Sequence, residues 1–473
     1  MSKYAVASSH PLSTLAGEEA LAKGGNAYDA MLATSAALTV VQPHLNGLGG
    51  DMFATIRDKN IYCINASGFA AEMATPDFFK SKKLDKIPKS GHLSSFSLPG
   101  MVSAWKIIMG KINLTPEEDF KRAIKYARNG FRKSLKLDNA IKNFDGDEDF
   151  NKIYKNDSSI LYQKDLGDTL ENLSKNPDDF YNGKIARMIE GDMKNKGGLV
   201  RLSDLEKYNA EIREPMHVNY HGYNISTNPP VSQGVTELIW LKLMDKYDLS
   251  SMNDDDYYDI LIKNMKESYK YRKYIYDGSS LNVDNFKSFK IDELHGKNSE
   301  NSDTTAFSIF DGEIEISAIQ SNYMGFGSGH NVKGTGININ NRGSYFSLDE
   351  GNNNTLKPFK KTFHTLMSTI ASGKNEIMLG SMGGDIQPEV NVQILSKIID
   401  RNMKIQDAIN YPRFAYLASI YSDSDIYYER PLNLKNYIKV ESNNSMMGHA
   451  QGIIFGENVE AGFDPRGDAF EKY

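Results

Sequence analysis

The chain has 473 residues, 40% hydrophobic and 25% charged, with 22 Phe and 26 Tyr, which supplies a large core and excludes disorder as the dominant state. A formal charge of −6 gives no basic footprint for wholesale nucleic-acid binding, and the single cysteine, Cys63, excludes an intramolecular disulfide and every multi-cysteine metal site. Length alone, at about three rule-of-thumb domains, predicts two or three consecutive units.

The N-terminus MSKYAVASSHPLS has no apolar h-region, and the most apolar stretch, residues 31–41, is too short to span a bilayer. The expectation is therefore a soluble cytoplasmic protein with no membrane segment. Ser13 or Thr14 is placed to cap a helix through Leu15, Leu21 and Ala22 that ends at Gly24-Gly25, and Asn26 opens a second helix toward Val41. A glycine-rich turn over 43–51 leads into a strand at 52–56, and residues 114–212 read as mostly helical and heavily charged. Residues 220–227 read as one strand, closed by the break Asn228-Pro229-Pro230.

Asp254-Asp255-Asp256 suits the positive end of a helix over 257–275, as a solvated cap rather than a metal site. Tyr, Lys and Arg interleave over 269–276 like a nucleic-acid stacking surface, but helical spacing in an acidic chain favours an ordinary helix face. Residues 277–302 are polar and read as an exposed linker. Beyond them the pattern alternates. Residues 306–310 and 313–320 form a hairpin about Asp311-Gly312, residues 365–372 and 376–381 a second about Gly373-Lys374-Asn375, and 388–402 a helix. The whole predicts a mixed α/β (α+β) protein with an antiparallel sheet after residue 304.

Several motifs lead nowhere chemically. The loop Gly325-Phe326-Gly327-Ser328-Gly329-His330 fits neither the Walker pattern nor a dinucleotide fingerprint, so a structural turn is favoured. Arg466-Gly467-Asp468 is an integrin-type tripeptide that reads as a chance match, and His44, His330, His364 and His449 lack metal-ligand spacing. No metal and no cofactor is expected.

The informative segment is Asp303-Thr304-Thr305-Ala306-Phe307-Ser308, where a polar linker runs into a threonine that starts an alternating strand. Threonine becomes a nucleophile only when a base takes its proton, and its own α-amine, titrating near ~7.7–8.0, can be that base. That amine exists only if the Asp303–Thr304 bond is cut. On these residues alone, a structural Thr pair at a strand start is the simpler reading.

The sequence as a whole resembles the γ-glutamyltranspeptidase family of N-terminal nucleophile hydrolases, along nearly its full length. The landmarks are ALAKGGNAYDA at 20–30, PHLNGLGGDMF at 43–53, Gly91-His92-Leu93 with Leu98-Pro99-Gly100, and Ala127-Arg128-Asn129-Gly130-Phe131. They continue with Leu202 to Tyr208, Arg213-Glu214-Pro215, Asn228-Pro229-Pro230, the Thr304-Thr305 segment, Ser381-Met382-Gly383-Gly384, and AINYPRF at 408–414. The resemblance implies a four-layer αββα sandwich, self-cleaved into a large subunit (1–303) and a small subunit (304–473) that share one core. Assembly into a dimer of such heterodimers is compatible with it.

Carried over residue by residue, the resemblance makes Thr304 the agent of self-cleavage and then the catalytic nucleophile. Gly383 and Gly384 would present backbone N–H groups to the oxyanion. Asn322 matches a family asparagine near the nucleophile, and Gln320 replaces the usual threonine two positions earlier, with an amide able to bond Thr304. Both amides also admit a purely structural reading. Recognition departs from the family pattern: Phe69 stands where an arginine usually holds the substrate α-carboxylate, and Arg342 and Tyr345 stand where acidic and amide groups usually hold the α-amine. His364-Thr365 replaces a serine pair, and the lid region 349–363 looks short. These departures match a transpeptidase-like or cephalosporin acylase-like branch.

The expected reaction is cleavage of a small-molecule γ-glutamyl amide with transfer to water or an amine. Arg342 is expected to bind a distal carboxylate, although pairing with a loop carboxylate is open to it as well. A glutaryl-type amidohydrolase, or an uncleaved and inactive binding or structural homologue, are the alternatives.

Overall fold

The computed structural model describes residues 4–290, 303–416, 426–435 and 437–470. Part of the polar linker, residues 291–302, lies outside them.

Local sequence explains most element boundaries. Asn26 and Asp29 form a reciprocal capping box that starts the helix Ala27–Val41. The preceding helix runs Pro11–Ala22 and is capped by His10, not by Ser13 or Thr14. Proline at the first helical position moves the start upstream, because its fixed φ and missing N–H suit that place. Ser13 and Thr14 instead hydrogen-bond the Ser8 hydroxyl. The single strand expected over 220–227 is a hairpin, Met216–Tyr220 with Tyr223–Thr227, turned by His221 and Gly222 at φ 47° and 83°.

Two six-stranded antiparallel sheets dominate. The first is ordered Ala5–Ser8, Asp303–Phe310, Glu315–Tyr323, Asp51–Asp58, Asn60–Ala66, Glu211–Arg213. The second is ordered Val459–Phe463, His449–Phe455, Glu376–Met382, Ser368–Ser372, Tyr223–Thr227, Met216–Tyr220. Each sheet therefore takes strands from both sides of position 303/304. This is one interleaved core, not the consecutive domains that length predicts.

Helices cover the outer faces. The apolar side chains of Ala27–Val41, Met101–Met109 and Pro116–Asn129 join a core with Phe307, Ile309, Ile316 and Ala318 of the first sheet. Gly234–Met244, Asp254–Tyr269 and Gln387–Arg401 do the same against Ile225, Ile377 and Leu379 of the second. Between the sheets lie Ala7, Phe310, Ile370, Met378 and Ile453, with Phe53, Ala306, Ile319 and Leu366 nearby. The architecture is the four-layer αββα sandwich.

The period-two alternation of Asp303–Phe310 sorts its side chains between layers. Odd residues Phe307 and Ile309 face the helices, and even residues face the second sheet. Ser308 Oγ donates to the Met378 carbonyl at 3.2 Å, and a Cβ on Gly380 would lie 3.0 Å from Ala306 Cβ. Stepping by two in opposite directions brings Thr304 level with Met382, the strand end from which Gly383 and Gly384 follow.

Candidate active site

Thr304 is fully buried on the inter-sheet face, and its hydroxyl donates to Ser321 Oγ at 3.2 Å. Ser321 Oγ also accepts the Tyr323 N–H at 2.8 Å, within a register irregularity between Gln320 and Tyr323. The regular register up to Gln320 opposite Thr305 sets Ser321 beside Thr304, and the irregularity beyond it brings Tyr323 opposite Asp303. The expected Gln320–Thr304 hydrogen bond does not form. Gln320 is the cross-strand partner of Thr305, so it points with Thr305 to the helix side. There Gln320 Oε1 accepts from Ser35 Oγ at 2.6 Å and Nε2 donates to Asn46 Oδ1 at 2.6 Å, while Trp105 Nε1 donates to Ser35 Oγ at 2.8 Å. Gln320 is a satisfied strut of the first helix layer.

Asn322 is held by its backbone, donating to the Leu45 carbonyl at 3.2 Å and accepting from the Asn341 N–H at 3.2 Å. Its side-chain amide is buried without a hydrogen-bond partner among the described residues. Gly47 makes room for it: a Cβ there would lie 3.1 Å from Asn322 Nδ2. A buried amide left without partners costs on the order of 1–3 kcal/mol.

Gly383 and Gly384 turn the chain at φ 148° and 57°, conformations that L side chains rarely adopt. The turn is pinned from several directions. Gln233 Nε2 donates to the Gly384 carbonyl at 2.8 Å and to that of Thr365 at 2.6 Å. Asp385, the next residue, is gripped by Arg272, whose Nη2 meets its carboxylate and whose Nη1 donates to its carbonyl at 3.1 Å. Tyr345 completes the clamp, its hydroxyl donating to Asp385 Oδ1 at 3.1 Å. Burial, with the Asp385 carboxylate adding to it, pushes the Tyr345 phenol far above its ordinary range, so it stays a proton donor. Arg272, from the Tyr/Lys/Arg run, packs on the rings of Tyr269 and Phe363, an interior use of that run.

Arg342 is wholly buried, with its guanidinium carbon 4.1 Å above the Tyr323 ring. Nη1 donates to Thr365 Oγ1 at 3.1 Å, and Nε lies 3.7 Å from Asp51 Oδ2, an ion pair longer than a hydrogen bond. Nε and Nη2, one two-donor edge of the fork, have no hydrogen-bond partner among the described residues. Burial lowers the guanidinium pKa, and Asp51 opposes that shift.

Asp51 ties this cluster to the threonine. It is the cross-strand partner of Ser321, so both side chains share the inter-sheet face with Thr304. His364 Nε2 contacts Asp51 Oδ2 at 2.9 Å while its Nδ1 accepts the Leu366 N–H at 3.2 Å, which puts the proton on Nε2 of a neutral ring. Burial, helped by Arg342, brings the His364 pKa down to about 4. His364 and Thr365 thus hold the charged pair in place. Gly68 donates its N–H to Asp51 Oδ1 at 3.1 Å, while the ring of Phe69 packs 5.6 Å from those of Tyr208 and Phe359.

Tyr323 joins the two halves of the site. It pairs with Asp303 and holds φ 81°, an outlier for a bulky residue that tertiary contacts must maintain.

The structure therefore brings together Thr304, Arg342, His364 and Thr365, and sets the Gly383-Gly384 turn at the facing strand end. Tyr345 reaches the same end through Asp385, and Gln320 is turned away. Sequence reasoning missed Ser321, Asp51, Asp385 and Tyr323. Asp51 carried a signal, as the acid closing the Gly49-Gly50-Asp51 turn, and so did Ser321, which the hairpin register places opposite Thr304; Tyr323 and Asp385 depend on a strand irregularity and on contacts between remote segments. The buried Arg466, ion-paired to Glu429 and Asp464, removes the Arg466-Gly467-Asp468 tripeptide from any adhesive role.

Comparison with known proteins agrees with this architecture. The family model described as Gamma-glutamyltranspeptidase matches residues 13–472. The Glutathione hydrolase-like YwrD proenzyme of Bacillus subtilis (strain 168) is 31% identical, over 98% of this chain and 97% of its own. The Oxamate amidohydrolase proenzyme of Klebsiella pneumoniae is 28% identical, over 85% of this chain and 83% of its own. Among solved structures, a cephalosporin acylase from Bacillus halodurans superposes with a TM-score of 0.89 at 28% identity, covering 98% of this chain and 94% of that one.

Proposed function

This chain belongs to the gamma-glutamyltranspeptidase family and is a transpeptidase-like or acylase-like amidohydrolase; within that class we propose that it cleaves γ-glutamyl amides through a Thr304 acyl-enzyme, after its own chain is cut between Asp303 and Thr304. The observation that carries the reading is the Thr304 hydroxyl, bonded to Ser321, at the strand end facing the Gly383-Gly384 turn, with the Asp51–Arg342 pair across one intervening strand.

The cut converts the precursor into subunits of residues 1–303 and 304–473. It frees the Thr304 α-amine, whose ordinary pKa near ~7.7–8.0 suits a general base at neutral pH. The amine takes the hydroxyl proton, Oγ1 bonds to the amide carbonyl carbon, and Gly383 and Gly384 N–H groups stabilise the oxyanion. Collapse breaks the C–N bond, and the amine delivers the proton to the leaving nitrogen. Water, or an acceptor amine, then adds to the ester and releases the acyl group, returning hydroxyl and amine to their starting states. A donor aimed at the developing oxyanion typically contributes ~2.7–4 kcal/mol.

Arg342 supports a second reading, a glutaryl-type acylase. A guanidinium where relatives bind an ammonium group repels an α-amine and attracts a carboxylate. Its Nε–Nη2 edge makes no hydrogen bond among the described residues, Nε having only the long 3.7 Å ion pair to Asp51, and a two-donor edge matches a carboxylate in geometry. The names of two relatives, an oxamate amidohydrolase and a cephalosporin acylase, show that the family extends beyond γ-glutamyl donors.

One experiment tests both layers. Purified full-length chain is examined by denaturing gel and intact mass, then assayed on γ-glutamyl and glutaryl 4-nitroanilides. Two fragments with Thr304 at the new N-terminus are expected, with turnover of at least one anilide. A single uncut species without activity would sink the reading and leave an inactive homologue.

A further inference from the structure

We propose that Gln42 and Ser9 are positioning residues for the nucleophile: through the Thr305 hydroxyl they hold the new chain end in place once the Asp303–Thr304 bond is cut. This rests on the acyl-transfer reading of the Thr304 site.

The need for an anchor follows from strand pairing. On one flank the edge strand Ala5–Ser8 pairs as far as Ser8 opposite Phe307, so residues 304–306 extend beyond its last pair. On the other flank Gln320 lies opposite Thr305, and the next pair is Tyr323 with Asp303. In the uncut chain Thr304 is therefore held along the backbone from both directions, by Asp303 before it and Thr305 after it. Cutting removes the first hold. Thr304 is then a one-residue overhang, and chain ends lose order unless they are tied down.

The tie is a side-chain contact on the helix side of the sheet. Thr305 Oγ1 donates to Gln42 Oε1 at 3.1 Å and lies against the Ser9 hydroxyl, which itself donates to Gln42 Oε1 at 2.5 Å. Gln42 Nε2 donates back to the Ser9 carbonyl at 3.4 Å, and all three residues are buried. Gln42 closes the helix Ala27–Val41, its N–H donating to the Leu38 carbonyl at 3.0 Å. Asn46 stiffens the turn that follows. Its Nδ2 donates to the Leu38 and Gln42 carbonyls, both at 3.0 Å, while its Oδ1 accepts from Gln320. The Leu45 carbonyl accepts the Asn322 N–H at 3.2 Å. Residues 42–46 thus grip both strands of the nucleophile hairpin, at Thr305 on one and at Gln320 and Asn322 on the other. Ser9 and Gln42 precede the cut and Thr305 follows it, so the anchor does not depend on the bond that breaks.

Thr305 is joined directly to Thr304, the residue that carries both the reacting hydroxyl and the amine. A displacement of about 1 Å at a reacting group can cost about a hundredfold in rate. Asp303 still steadies the uncut chain, so the anchor bears on turnover more than on self-cleavage.

The test measures the two reactions separately. Thr305→Val keeps the side-chain shape and leaves Gln42 Oε1 bonded to Ser9, and Thr305→Ser restores the hydroxyl. Self-cleavage is timed on denaturing gels, and turnover is measured on γ-glutamyl and glutaryl 4-nitroanilides with fully cut protein. In Thr305→Val, kcat should fall by about tenfold to a hundredfold with KM within about twofold, while self-cleavage slows by less than about threefold. Thr305→Ser should recover most of that loss. Wild-type kcat in Thr305→Val, equal losses in cleavage and turnover, or no recovery in Thr305→Ser would each overturn the proposal and leave the acyl-transfer reading standing. A crystal structure of the cut wild-type protein gives a readout that needs no variant. There Thr305 Oγ1 should remain on Gln42 and Ser9, and a hydroxyl turned away from both would overturn the role. A wild type that neither cuts itself nor hydrolyses either anilide would reject the acyl-transfer reading, and this role with it.

Discussion

The Thr304 hydroxyl donates to Ser321, not to Gln320, because strand alternation turns these two adjacent residues to opposite layers and the register sets Gln320 opposite Thr305. Ser321 is thereby a positioning residue for the threonine, and Gln320 a structural one. Ser321→Ala should slow self-cleavage and turnover by about tenfold to a hundredfold with little change in Tm, the loss of one buried hydrogen bond at the reacting atom. Gln320→Leu should do the opposite. It strands Ser35 and Asn46, lowers stability by about 1–3 kcal/mol, and spares activity per folded molecule. Parallel melts and single-turnover assays separate the two; equal behaviour of the variants would contradict the assignment.

Thr304→Ala should leave one uncut chain of 473 residues without amidase activity, read by intact mass and anilide hydrolysis. Cleavage at 303/304 surviving in this variant would assign the nucleophile elsewhere. In the wild type, turnover should rise with pH through the titration of a free α-amine near ~7.7–8.0.

Arg342→Lys keeps a cation near Asp51 but replaces a planar fork with a point charge. The expected result is a loss of about tenfold to a hundredfold in kcat/KM for donors carrying a distal carboxylate, with Tm nearly kept. Arg342→Met should instead destabilise the fold by about 3–5 kcal/mol, because it removes the cation beside a buried carboxylate. Unchanged donor selectivity in Arg342→Lys would reduce Arg342 to a partner of Asp51.

Glu237 predicts a pH effect away from the site. It is fully buried, with Oε2 accepting from Thr369 Oγ1 at 2.9 Å and Oε1 without a partner among the described residues. Burial pushes its pKa up to about 8, while the unfolded chain titrates near 4.5. Between those values the folded state holds a proton that the unfolded state has lost. Folding stability from this residue therefore falls as pH rises from about 4.5 to about 8. Glu237→Gln should remove that slope, gaining on wild type by on the order of 2–4 kcal/mol at pH 8 relative to pH 5 in denaturant melts. Parallel pH profiles would show that Glu237 ionises at its ordinary pKa.

Much of the fold is local and was legible. The hairpin about Asp311-Gly312, the break at Asn228, and the helix opened by Asn26 each depend on residues within a few positions. The misread boundaries have equally local reasons. Pro11 moved a cap to His10, and a turn built on two positive-φ residues split one expected strand into a hairpin. Length misled because interleaved strands look, in one dimension, like consecutive domains.

The sequence by itself determined which residue types are available for chemistry: a single cysteine, a threonine at a strand start, and a glycine pair at a strand end. Alternation also sorted side chains to one face or the other. Only the tertiary structure decided which of them meet. Tyr323 meets Asp303 through an irregularity that no period-two count anticipates, and Asp51, His364 and Arg342 converge from segments about 300 residues apart in the chain. The physical reason is that a buried charge must find its partner somewhere in three dimensions, and pairing across two sheets leaves no trace in the spacing of residues along the chain.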